Sequence, residues 1–444
     1  MKERVEKLVN EKNYKELKDI INKLNISDVA EILEDVSPLE LVKIFRLFKK
    51  DEAAEVFSYL PVEVQTELIK HLKEAEIASL IDEMHADDAA DLLEEMPSNV
   101  VIRILKKCPE DTRTIINKLL NYPESSAGSI MTVEYAELKE NLTVDKAISK
   151  LRNESEEYET VNTCYVIDKR RKLIGYISIK DILFAREDSL ISEITKKDVI
   201  SVNTLTDREE VINMFKKYDI NTMPVVDSEG RLVGIITIDD IVDVLEEETT
   251  EDLEKMAAIT PTNKPYLKTS VYETCKTRIP WLIILMLSAT FTGKIIQGFE
   301  KQLAACAALT AFIPMLMNSG GNAGGQVSVT IIRGLSLNEI EMKDIFKIIW
   351  KELKVSIICG ITLAIANLIK MMLLDNVSLS IALVVSLTLL VTVIIAKIVG
   401  SILPILAKKV GFDPAVMASP FITTIVDALS LLVYFKIATM MLGI

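Results

Sequence analysis

A single carboxylate interrupts the last apolar segment of the chain and is the strongest chemical signal in the sequence. The segment runs from 417 to 443, and its one acid is Asp427. An ionised aspartate at bilayer depth costs roughly 2.5 kcal/mol or more, so it has to face protein, water or a cation. At helical spacing Thr423, Asp427, Ser430 and Tyr434 share one face. This pattern favours an ion pathway. The structural alternative is an aspartate that caps a kink or pairs with a lysine of another helix.

Charge is divided unevenly between the two halves of the chain. Residues 1–259 hold 35 Lys and Arg against 56 Asp and Glu, whereas the remainder holds 16 against 9. Such acidity argues against nucleic acid as a partner, because phosphate contacts need basic surface, and it suits divalent cations. The two histidines and five scattered cysteines offer no zinc spacing. Carboxylate oxygen is therefore the available ligand, and hard oxygen ligands favour Mg²⁺ or Ca²⁺.

Motifs of common catalytic sites are missing from the sequence. It contains neither GxxxxGK[ST] nor GxSxG, and neither His71 nor His85 stands in a recognisable pattern with a nucleophile. We therefore expect that the protein is not an enzyme.

A 24-residue spacing relates three segments near the start of the chain. These are Ala30–Val36, Ala54–Leu60 and Ala78–Met84, and Ala90–Met96 follows at half that distance. Prolines stand where one short helix ends and the next begins, at Pro38, Pro61, Pro97 and Pro109. A period this short predicts one short helix and a turn, stacked into a solenoid. We expect an acidic helical-repeat domain over 1–127.

From Gly128 onward the pattern changes to alternating strands and helices, and it occurs twice. The form Gly-x-x-[Ser/Thr]-x-x-Asp appears at Gly175–Asp181 and again at Gly234–Asp240. This form, with the preceding Met-Pro-Val-Val-Asp of the second copy, resembles a tandem pair of CBS domains. The α/β pair is expected over 128–247, with its units at about 128–187 and 190–247.

The CBS resemblance implies a nucleotide as one candidate ligand. Some CBS pairs bind adenosyl nucleotides, and in those members the [Ser/Thr]-x-x-Asp ending contacts the ribose. ATP binding through Ser178 and Asp181 is therefore one interpretation. The other is that Ser178, Asp181 and Thr237 only cap helices.

Five apolar segments follow the soluble half, each near or above the ~20 residues that a spanning helix needs. They are 279–299, 302–318, 353–374, 378–406 and 417–443. The acidic stretch that precedes them predicts a connecting helix and membrane entry over 248–278, and the spans predict a five-helix membrane domain over 279–444.

Lysine and arginine are concentrated in the links between the second and third segments and between the fourth and fifth. By the positive-inside bias this puts the N-terminus in the cytosol and the C-terminus outside. The charged N-terminus has no apolar core of a signal peptide, which agrees with this orientation. We expect a multi-pass protein of the cell inner (plasma) membrane.

Taken in order, these parts resemble the MgtE family of magnesium channels. An acidic helical-repeat domain, two CBS domains, an acidic connecting helix and five membrane helices form the same succession. Two membrane signatures agree, Pro314…Asn318-Ser-Gly-Gly-Asn-Ala-Gly-Gly-Gln326 and Asp413-Pro-Ala…Ser419-Pro…Thr-Thr-Ile-Val-Asp427. The resemblance implies a homodimer in the lipid membrane, with the pore between two membrane halves and cytosolic domains that sense Mg²⁺ and close it.

The resemblance also implies which residues line the pore. Asp427 of each subunit would hold hydrated Mg²⁺, and Thr423, one turn earlier, would offer an oxygen to the water shell. Mg²⁺ sheds water reluctantly, so a selective pore should hold the hydrated ion through carboxylates and carbonyls. Asn322, in a glycine-rich turn, and Ser419 would line the same cavity, and a helix-end cap is the alternative for Asn322. The sequence departs from the family pattern at Gly325 and Ser419, where larger or more polar residues are common.

Sensor residues are likewise carried over from the family. The acids of the repeat domain, the CBS pair, the connecting helix and the entry to the last span are Glu55, Asp87, Asp91, Asp207, Glu209, Asp219, Asp240, Asp243, Glu248, Glu251, Asp252 and Asp413. Without metal these surfaces repel one another, and with metal bridging them the domains would clamp the connecting helix over the pore. For any single acid, a solvated surface position is the alternative.

Other functions stay open on the sequence alone. One is a metal-independent signalling membrane protein whose CBS pair reads ATP. A CBS-containing anion channel or an uptake ATPase subunit would need more membrane helices or a phosphate loop, and neither is present.

Overall fold

Short helices fill the first 120 residues of the chain in the computed structural model. Each is eight to ten residues long, and in order they are α1 Lys2–Asn10, α2 Tyr14–Ile21, α3 Ile26–Leu33, α4 Pro38–Phe45, α5 Lys50–Ser58, α6 Val62–His71, α7 Glu74–Glu83, α8 Ala86–Glu94, α9 Ser98–Leu105 and α10 Glu110–Leu119. The structure describes all residues except 1, 12, 35, 95, 156–157, 263–265, 268, 418 and 444, and the side chains at 2, 3, 6, 10, 62, 63 and 419 also lie outside the description.

The helices pack on their second neighbours in two stacks. Helix α3 contacts α5, α5 contacts α7 and α7 contacts α9, while α4, α6, α8 and α10 form the other series. The 24-residue spacing is therefore the period of a helix pair, so the prediction of one helix and a turn per period was wrong, whereas the predicted helical-repeat fold is confirmed. Leu33, Phe57 and Ile81, which recur at this spacing, are fully buried between the helices. Pro38 begins α4, as the sequence predicts.

Two small sheets with the same topology follow the repeat. Their strands are β1 Tyr135–Lys139, β2 Thr160–Ile167, β3 Leu173–Ser178, β4 Val202–Asn203, β5 Thr222–Val226 and β6 Leu232–Thr237. In each sheet the first strand is parallel to the second, and the second is antiparallel to the third. Tyr165 of one sheet and Ile235 of the other lie in one buried cluster, so the two sheets pack together. The predicted tandem pair is confirmed.

Helices complete the two α/β copies. They are α11 Val144–Asn153, α12 Ile179–Phe184, α13 Ile191–Ile194, α14 Arg208–Tyr218 and α15 Ile238–Met256. Helix α15 leaves the second sheet directly and is longer than the others at 19 residues. The chain falls into two units, Met1–Val244 and Leu245–Ile444, and the division lies within this helix.

The second unit consists of helices. They are α16 Val271–Gly298, α17 Glu300–Ala305, α18 Ile313–Ser336, α19 Ile345–Lys370, α20 Leu379–Val410 and α21 Ser419–Leu442, and short turns of 3-10 or π geometry cover Ala307–Phe312, Met342–Asp344, Met371–Asp375 and Pro414–Met417.

Side-chain contacts give the relative directions of these helices. Helix α16 is parallel to α21, since Trp281 packs edge-on against Phe421 near their starts and Phe299 stacks on Phe435 near their ends. Helix α19 is antiparallel to α20, because Asn367 near the end of α19 donates a hydrogen bond to Ser386 near the start of α20 at 3.2 Å.

Helix α18 completes the alternation. It is parallel to α20, since Gly320 meets Thr392 and Gly324 meets Ala396. It is antiparallel to α21, since Gly320 meets Val426 whereas Gly324 meets the earlier residue Ile422. In the described part of the chain, each long helix therefore runs opposite to the one before it, in the order α16, α18, α19, α20 and α21.

The prediction for the second span was wrong in its bounds. Residues 302–318 do not form one helix, because α17 ends at Ala305 and α18 begins only at Ile313, with Pro314 in its first turn. The glycine-rich stretch 318–326, predicted as a turn, lies within α18. Glycine lets helix backbones approach closely in a membrane domain, so it does not interrupt the helix here.

Four helical segments in the described residues are long and apolar enough to cross a membrane. They are Val271–Gly298, Met342–Asp375, Leu379–Val410 and Pro414–Leu442. Helix α18 has the length at 24 residues, but glycines, asparagines and a glutamine lower its apolar content. Four of the five predicted spans therefore have the length and hydropathy of a membrane helix. Helix α18 is counted as the fifth only because it packs among the other four.

Candidate functional site

Asp427 lies in the third turn of α21 and is half-buried. Its carboxylate makes no ion pair and no side-chain hydrogen bond with any residue that the structure describes. The alternative in which a lysine of another helix neutralises it is therefore not met among the described residues. A charge in this position needs water or a cation.

The other members of the predicted polar face point toward α18 and its approach. Thr423 donates its hydroxyl to the carbonyl of Pro420 at 2.8 Å, and its methyl group packs against Gly321. Tyr434 is fully buried and donates to the carbonyl of Leu309 at 2.9 Å. The polar face of α21 is thus directed at protein, and Asp427 lies in the middle of it.

Two faces of α18 differ in chemistry. Gly320, Gly321 and Gly324 lie against α20 and α21 so closely that a β-carbon on any of them would come within 2.8 Å of a neighbouring side chain. The polar residues at i, i+4 and i+8 are exposed: Asn318, Asn322 and Gln326. Asn322 is therefore a mid-helix residue on an exposed polar stripe, and the helix-end cap is wrong.

The neighbours of Asn322 connect this stripe to α21. Gly321, the residue before Asn322, packs on Thr423, so the polar stripe runs next to the helix that carries Asp427. The Nδ2 atom of Asn322 lies 3.5 Å from Oδ1 of Asn318. Ser419 is the first residue of α21, but its side chain lies outside the described residues.

A group of acids converges in the first unit, where α8 meets the α/β pair. We name them the junction acids: Asp87, Asp88, Glu134, Glu159, Asp239 and Asp240. Oδ1 of Asp87 is buried and has no hydrogen-bond partner among the described residues. Burial raises the pKa of Asp87 well above its usual value, and the charges of Asp240, Asp88 and Glu134 raise it further. Burial likewise raises the pKa of Asp240 to about 6, although hydrogen bonds from Thr237 oppose this.

Glu159 is the member of the group with a basic neighbour. Its Oε2 lies 3.0 Å from Nδ1 of His85, which immediately precedes α8. Burial raises the pKa of Glu159, the charge of His85 lowers it in part, and Asp239, Asp88 and Glu134 raise it. A cation would relieve both the mutual repulsion of these acids and the lack of a partner at the buried oxygen.

Other predicted sensor acids have local structural contacts. Asp207 is the N-cap of α14 and accepts from the backbone N–H of Glu209 at 2.9 Å. Asp219 ends the same helix in the left-handed conformation. Glu55 on α5, Asp91 on α8 and Asp243 on α15 are exposed in the chain. Asp207 thus caps a helix, which is neither the predicted metal contact nor the solvated surface position that was its alternative.

The acids at the end of α15 meet the turn before α21 within the second unit. Lys255 donates to Oδ2 of Asp413 at 2.7 Å, and it also pairs with Glu251 one turn earlier. Burial raises the pKa of Asp252 to about 6, and the charge of Asp413 adds to this. Glu248 lies one turn before Asp252 on the same helix and also raises its pKa.

Ser178 and Asp181 form a local pair at the start of α12. Ser178 accepts from the backbone N–H of Asp181 at 3.1 Å and donates its hydroxyl to Oδ2 of the same residue at 2.7 Å. Lys196 donates to that oxygen at 2.6 Å. Helix capping is therefore present, and Lys196 adds a cation that sequence reasoning missed.

No three acidic, histidine or cysteine side chains within the described residues are grouped closely enough to complete a metal site. Mg²⁺ does not require such a group, because it keeps several waters and is usually bound through one or two carboxylates. The arrangement fits a hydrated ion held between surfaces.

Three family models match successive parts of the chain. The model described as "Divalent cation transporter" matches residues 313–437, "MgtE intracellular N domain" matches 24–125, and "CBS domain" matches 127–188 and 191–247. "Magnesium transporter MgtE" of Thermus thermophilus is 36% identical over 337 residues, which is 74% of this chain and 73% of the relative. The chain belongs to the MgtE family.

Further comparisons agree with this membership. "Magnesium transporter MgtE" of Bacillus subtilis is 37% identical over 73% of this chain and 71% of its own length. A solved structure titled "Crystal structure of the cytosolic domain of the Mg2+ channel MgtE in complex with ATP" superposes with a TM-score of 0.52 at 31% identity, over 55% of this chain and all of that one. The soluble part of a magnesium transporter gives 0.53 at 27% identity, over 56% of this chain and 97% of that chain.

Proposed function

We propose that this MgtE-family chain is a Mg²⁺-selective channel or transporter of the plasma membrane that serves magnesium uptake and homeostasis. The observation that carries the proposal is the half-buried carboxylate of Asp427, which has no ion-pair partner among the described residues and lies on an otherwise apolar helix. Family membership supplies the class of cargo. The proposal gives the chain a transport activity and no catalytic one.

The permeation path follows the polar surface of two helices. Asp427 and Thr423 of α21, together with Asn322 and Ser419, contribute oxygen atoms to the water shell of the ion. A hydrated Mg²⁺ needs such ligands more than it needs direct protein coordination, because its dehydration is costly. The exposed stripe of α18 is polar on a helix that lies among apolar spans, which supports a water-filled path along it.

The path lies between two copies of the chain in this proposal. One copy exposes the polar stripe and offers one carboxylate, whereas a divalent ion is balanced by two. A homodimer closes the stripe and supplies the second Asp427. Light scattering in detergent should give twice the 49.6 kDa mass of one chain, and a monomer mass under transport-competent conditions would refute the shared pore.

The alternating directions of the long helices support an odd number of crossings. If α18 crosses the membrane together with the other four long helices, the chain crosses it five times. N-terminal domains in the cytosol then require a C-terminus outside. An impermeant maleimide should label a cysteine added after residue 443 in intact cells. Labelling only after permeabilisation would place the C-terminus inside.

The decisive test of the pore is Mg²⁺ flux into proteoliposomes. Asp427→Asn keeps the size of the side chain and removes its charge, and we expect it to lower flux at least about tenfold. Asp375→Asn is the matched control, since Asp375 is a carboxylate that Lys370 already neutralises at 2.8 Å. Undiminished flux in Asp427→Asn would reject the pore assignment.

Cytosolic Mg²⁺ regulates the channel in this proposal by binding to its acidic domains. The orphaned oxygen of Asp87, with the junction acids around it, is the strongest candidate for a sensing surface. Glu55, Asp91, Asp207, Glu209, Asp219 and Asp243 would extend it, and Glu248, Glu251, Asp252 and Asp413 would bind Mg²⁺ in the second unit. Metal bound to the compact state shifts the equilibrium toward closure.

Protease protection tests this regulation separately from flux. Cleavage of the connection 246–260 should slow in millimolar Mg²⁺, because closure holds that connection. The double variant Asp87→Asn, Asp240→Asn should need more Mg²⁺ for the same protection, whereas Asp145→Asn, an exposed acid of α11, should not. Cleavage that Mg²⁺ leaves unchanged would remove the clamp.

ATP is a second ligand in the proposal. The similar cytosolic domain of an Mg²⁺ channel was solved in complex with ATP. Asp181 ends the motif that the CBS resemblance assigns to the ribose, and Lys196 lies beside it. We assign the nucleotide to the first CBS copy.

A further inference from the structure

Lys255 occupies a central position among the acids of the second unit. Its ammonium donates to Oδ2 of Asp413 at 2.7 Å and pairs with Glu251, while Asp252 lies close enough to Asp413 for the two charges to interact. One fixed positive charge therefore lies among three carboxylates. Burial opposes that charge, but the hydrogen bonds to Asp413 and Glu251 outweigh it and raise the pKa of Lys255 above its usual value.

Both ends of this contact are tied to structural elements. Oδ1 of Asp413 accepts from the backbone N–H of Ala415 at 2.8 Å and so fixes the turn that leads into α21. Met256, the neighbour of Lys255, packs against Ala415 and Ile332 in a small apolar cluster. The end of α15 is thus attached to the start of the helix that carries Asp427 through contacts of the protein itself.

We infer that the Lys255 ammonium is a built-in counter-ion which holds the end of α15 on the Asp413 turn in the metal-free chain and competes with Mg²⁺ for the same oxygens. The inference rests on the proposed function, since Glu251, Asp252 and Asp413 are its proposed ligands. Mg²⁺ binding there is an exchange in which the ammonium leaves the carboxylates. Lys255 thereby raises the Mg²⁺ concentration at which this site fills.

The physical basis is the competition between two cations for one set of oxygens. An ammonium offers three hydrogen-bond donors and one charge, so it satisfies a carboxylate pair without needing a metal. It also repels a divalent ion at a distance of a few Å, an effect worth about a factor of ten in affinity even in a high-dielectric setting. Only about a quarter of the Lys255 side chain is exposed, so its removal leaves two partly buried carboxylates without their cation, and folding of each variant is checked first.

Hydrogen–deuterium exchange of the full chain in detergent provides a local readout. Protection of the peptide 246–262 is measured against Mg²⁺ concentration. Lys255→Met should lower the half-maximal Mg²⁺ concentration about tenfold, and Lys255→Arg should leave it within about twofold, because arginine keeps the charge. Lys347→Met is the matched control, since Lys347 pairs with Asp344 elsewhere in the second unit.

The outcomes separate this inference from the function it rests on. An unchanged or raised Mg²⁺ midpoint in Lys255→Met overturns the competition, and Lys255→Gln answers the same question if the methionine variant fails to fold. Asp413→Asn should raise the midpoint. If it does not while Lys255→Met has its effect, Asp413 is no Mg²⁺ ligand, and the proposed sensing at this turn fails instead.

Discussion

Gly400 of α20 lies so close to Gly324 of α18 that a β-carbon on Gly400 would be 2.3 Å from the Gly324 carbonyl oxygen. The neighbouring atom is backbone, so it cannot rotate away as a side chain would. The two parallel helices therefore touch backbone to backbone at this point. Glycine at both positions fixes how near α18 comes to α20, and through α18 it fixes the place of the exposed Asn322 stripe.

Gly400→Ala should accordingly destabilise the membrane unit. Alanine favours an exposed helix over glycine by about 1 kcal/mol, but forcing atoms into a filled contact costs typically 1–3 kcal/mol or more. Gly293→Ala in α16 is the control, because nothing lies within 4 Å of the position its β-carbon would take. Thermal unfolding in detergent should show a lower midpoint for Gly400→Ala and an equal or higher one for Gly293→Ala. Equal midpoints for both would mean that the helices separate without cost.

Helix α18 also shows where reasoning from the sequence stops. Apolar runs predicted the other long helices, because length and hydropathy suffice for them. The run 318–326 carries four glycines and three amide side chains, which a hydropathy pattern interprets as a turn. Its helix is stable because Thr392, Ile422 and Val426 of other helices fill the space that glycine leaves. That complementarity is tertiary, so it has no signal in the local sequence.

The raised pKa of Asp240 predicts how the stability of the metal-free chain depends on pH. Burial raises it from 3.8 to about 6, so the folded chain binds this proton more tightly than the unfolded chain does. The free energy of unfolding therefore falls as pH rises from about 4 through 6, because the buried Asp240 carboxylate becomes charged and is repelled by the other junction acids. Asp240→Asn should be more stable than the parent by roughly 1–3 kcal/mol at pH 7.5 and equal to it near pH 4.

Urea unfolding at a series of pH values in chelator measures this difference. Asp145→Asn serves as the control for removal of an exposed carboxylate in the same unit. Added Mg²⁺ at pH 7.5 should narrow the gap between Asp240→Asn and the parent, since the ion offsets the repulsion that the variant removes. If the difference in free energy of unfolding between Asp240→Asn and the parent does not change with pH, packing and not charge causes it.

The junction acids were only partly predictable. Asp87 and Asp240 followed from the family resemblance, since each stands in a motif that can be matched. The other four junction acids did not, and neither did His85 beside Glu159, because nothing in their spacing relates one to another. The fold brings His85 to Glu159 across 74 positions, and only the packing of α8 beside the first sheet creates that contact.

Asn322 should affect permeation through its polar side chain. Asn322→Leu places an apolar group on the exposed stripe of α18, and we expect Mg²⁺ flux to fall several-fold because the water shell of the ion loses a hydrogen-bond partner. Asn322→Gln keeps the amide and should retain most of the flux. Proteoliposome flux with equal protein incorporation compares the two. Loss in both variants would indicate a steric requirement, and loss in neither would remove Asn322 from the path.

Asp181 should control ATP binding through an oxygen that is already engaged. Its Oδ2 accepts from Ser178 and from Lys196, whose hydrogen bond is the main cause that lowers the pKa of Asp181. A ribose hydroxyl that binds there competes with Lys196, which is then free to meet a phosphate. Asp181→Asn should weaken ATP binding to the full chain at least about tenfold, because a hydrogen bond to a charged acceptor is roughly twice as strong as one to a neutral acceptor. Lys196→Met should weaken ATP more than adenosine, whereas Asp145→Asn should change neither. Equal losses of ATP and adenosine in Lys196→Met would mean that the lysine only orients Asp181 and does not contact the phosphates.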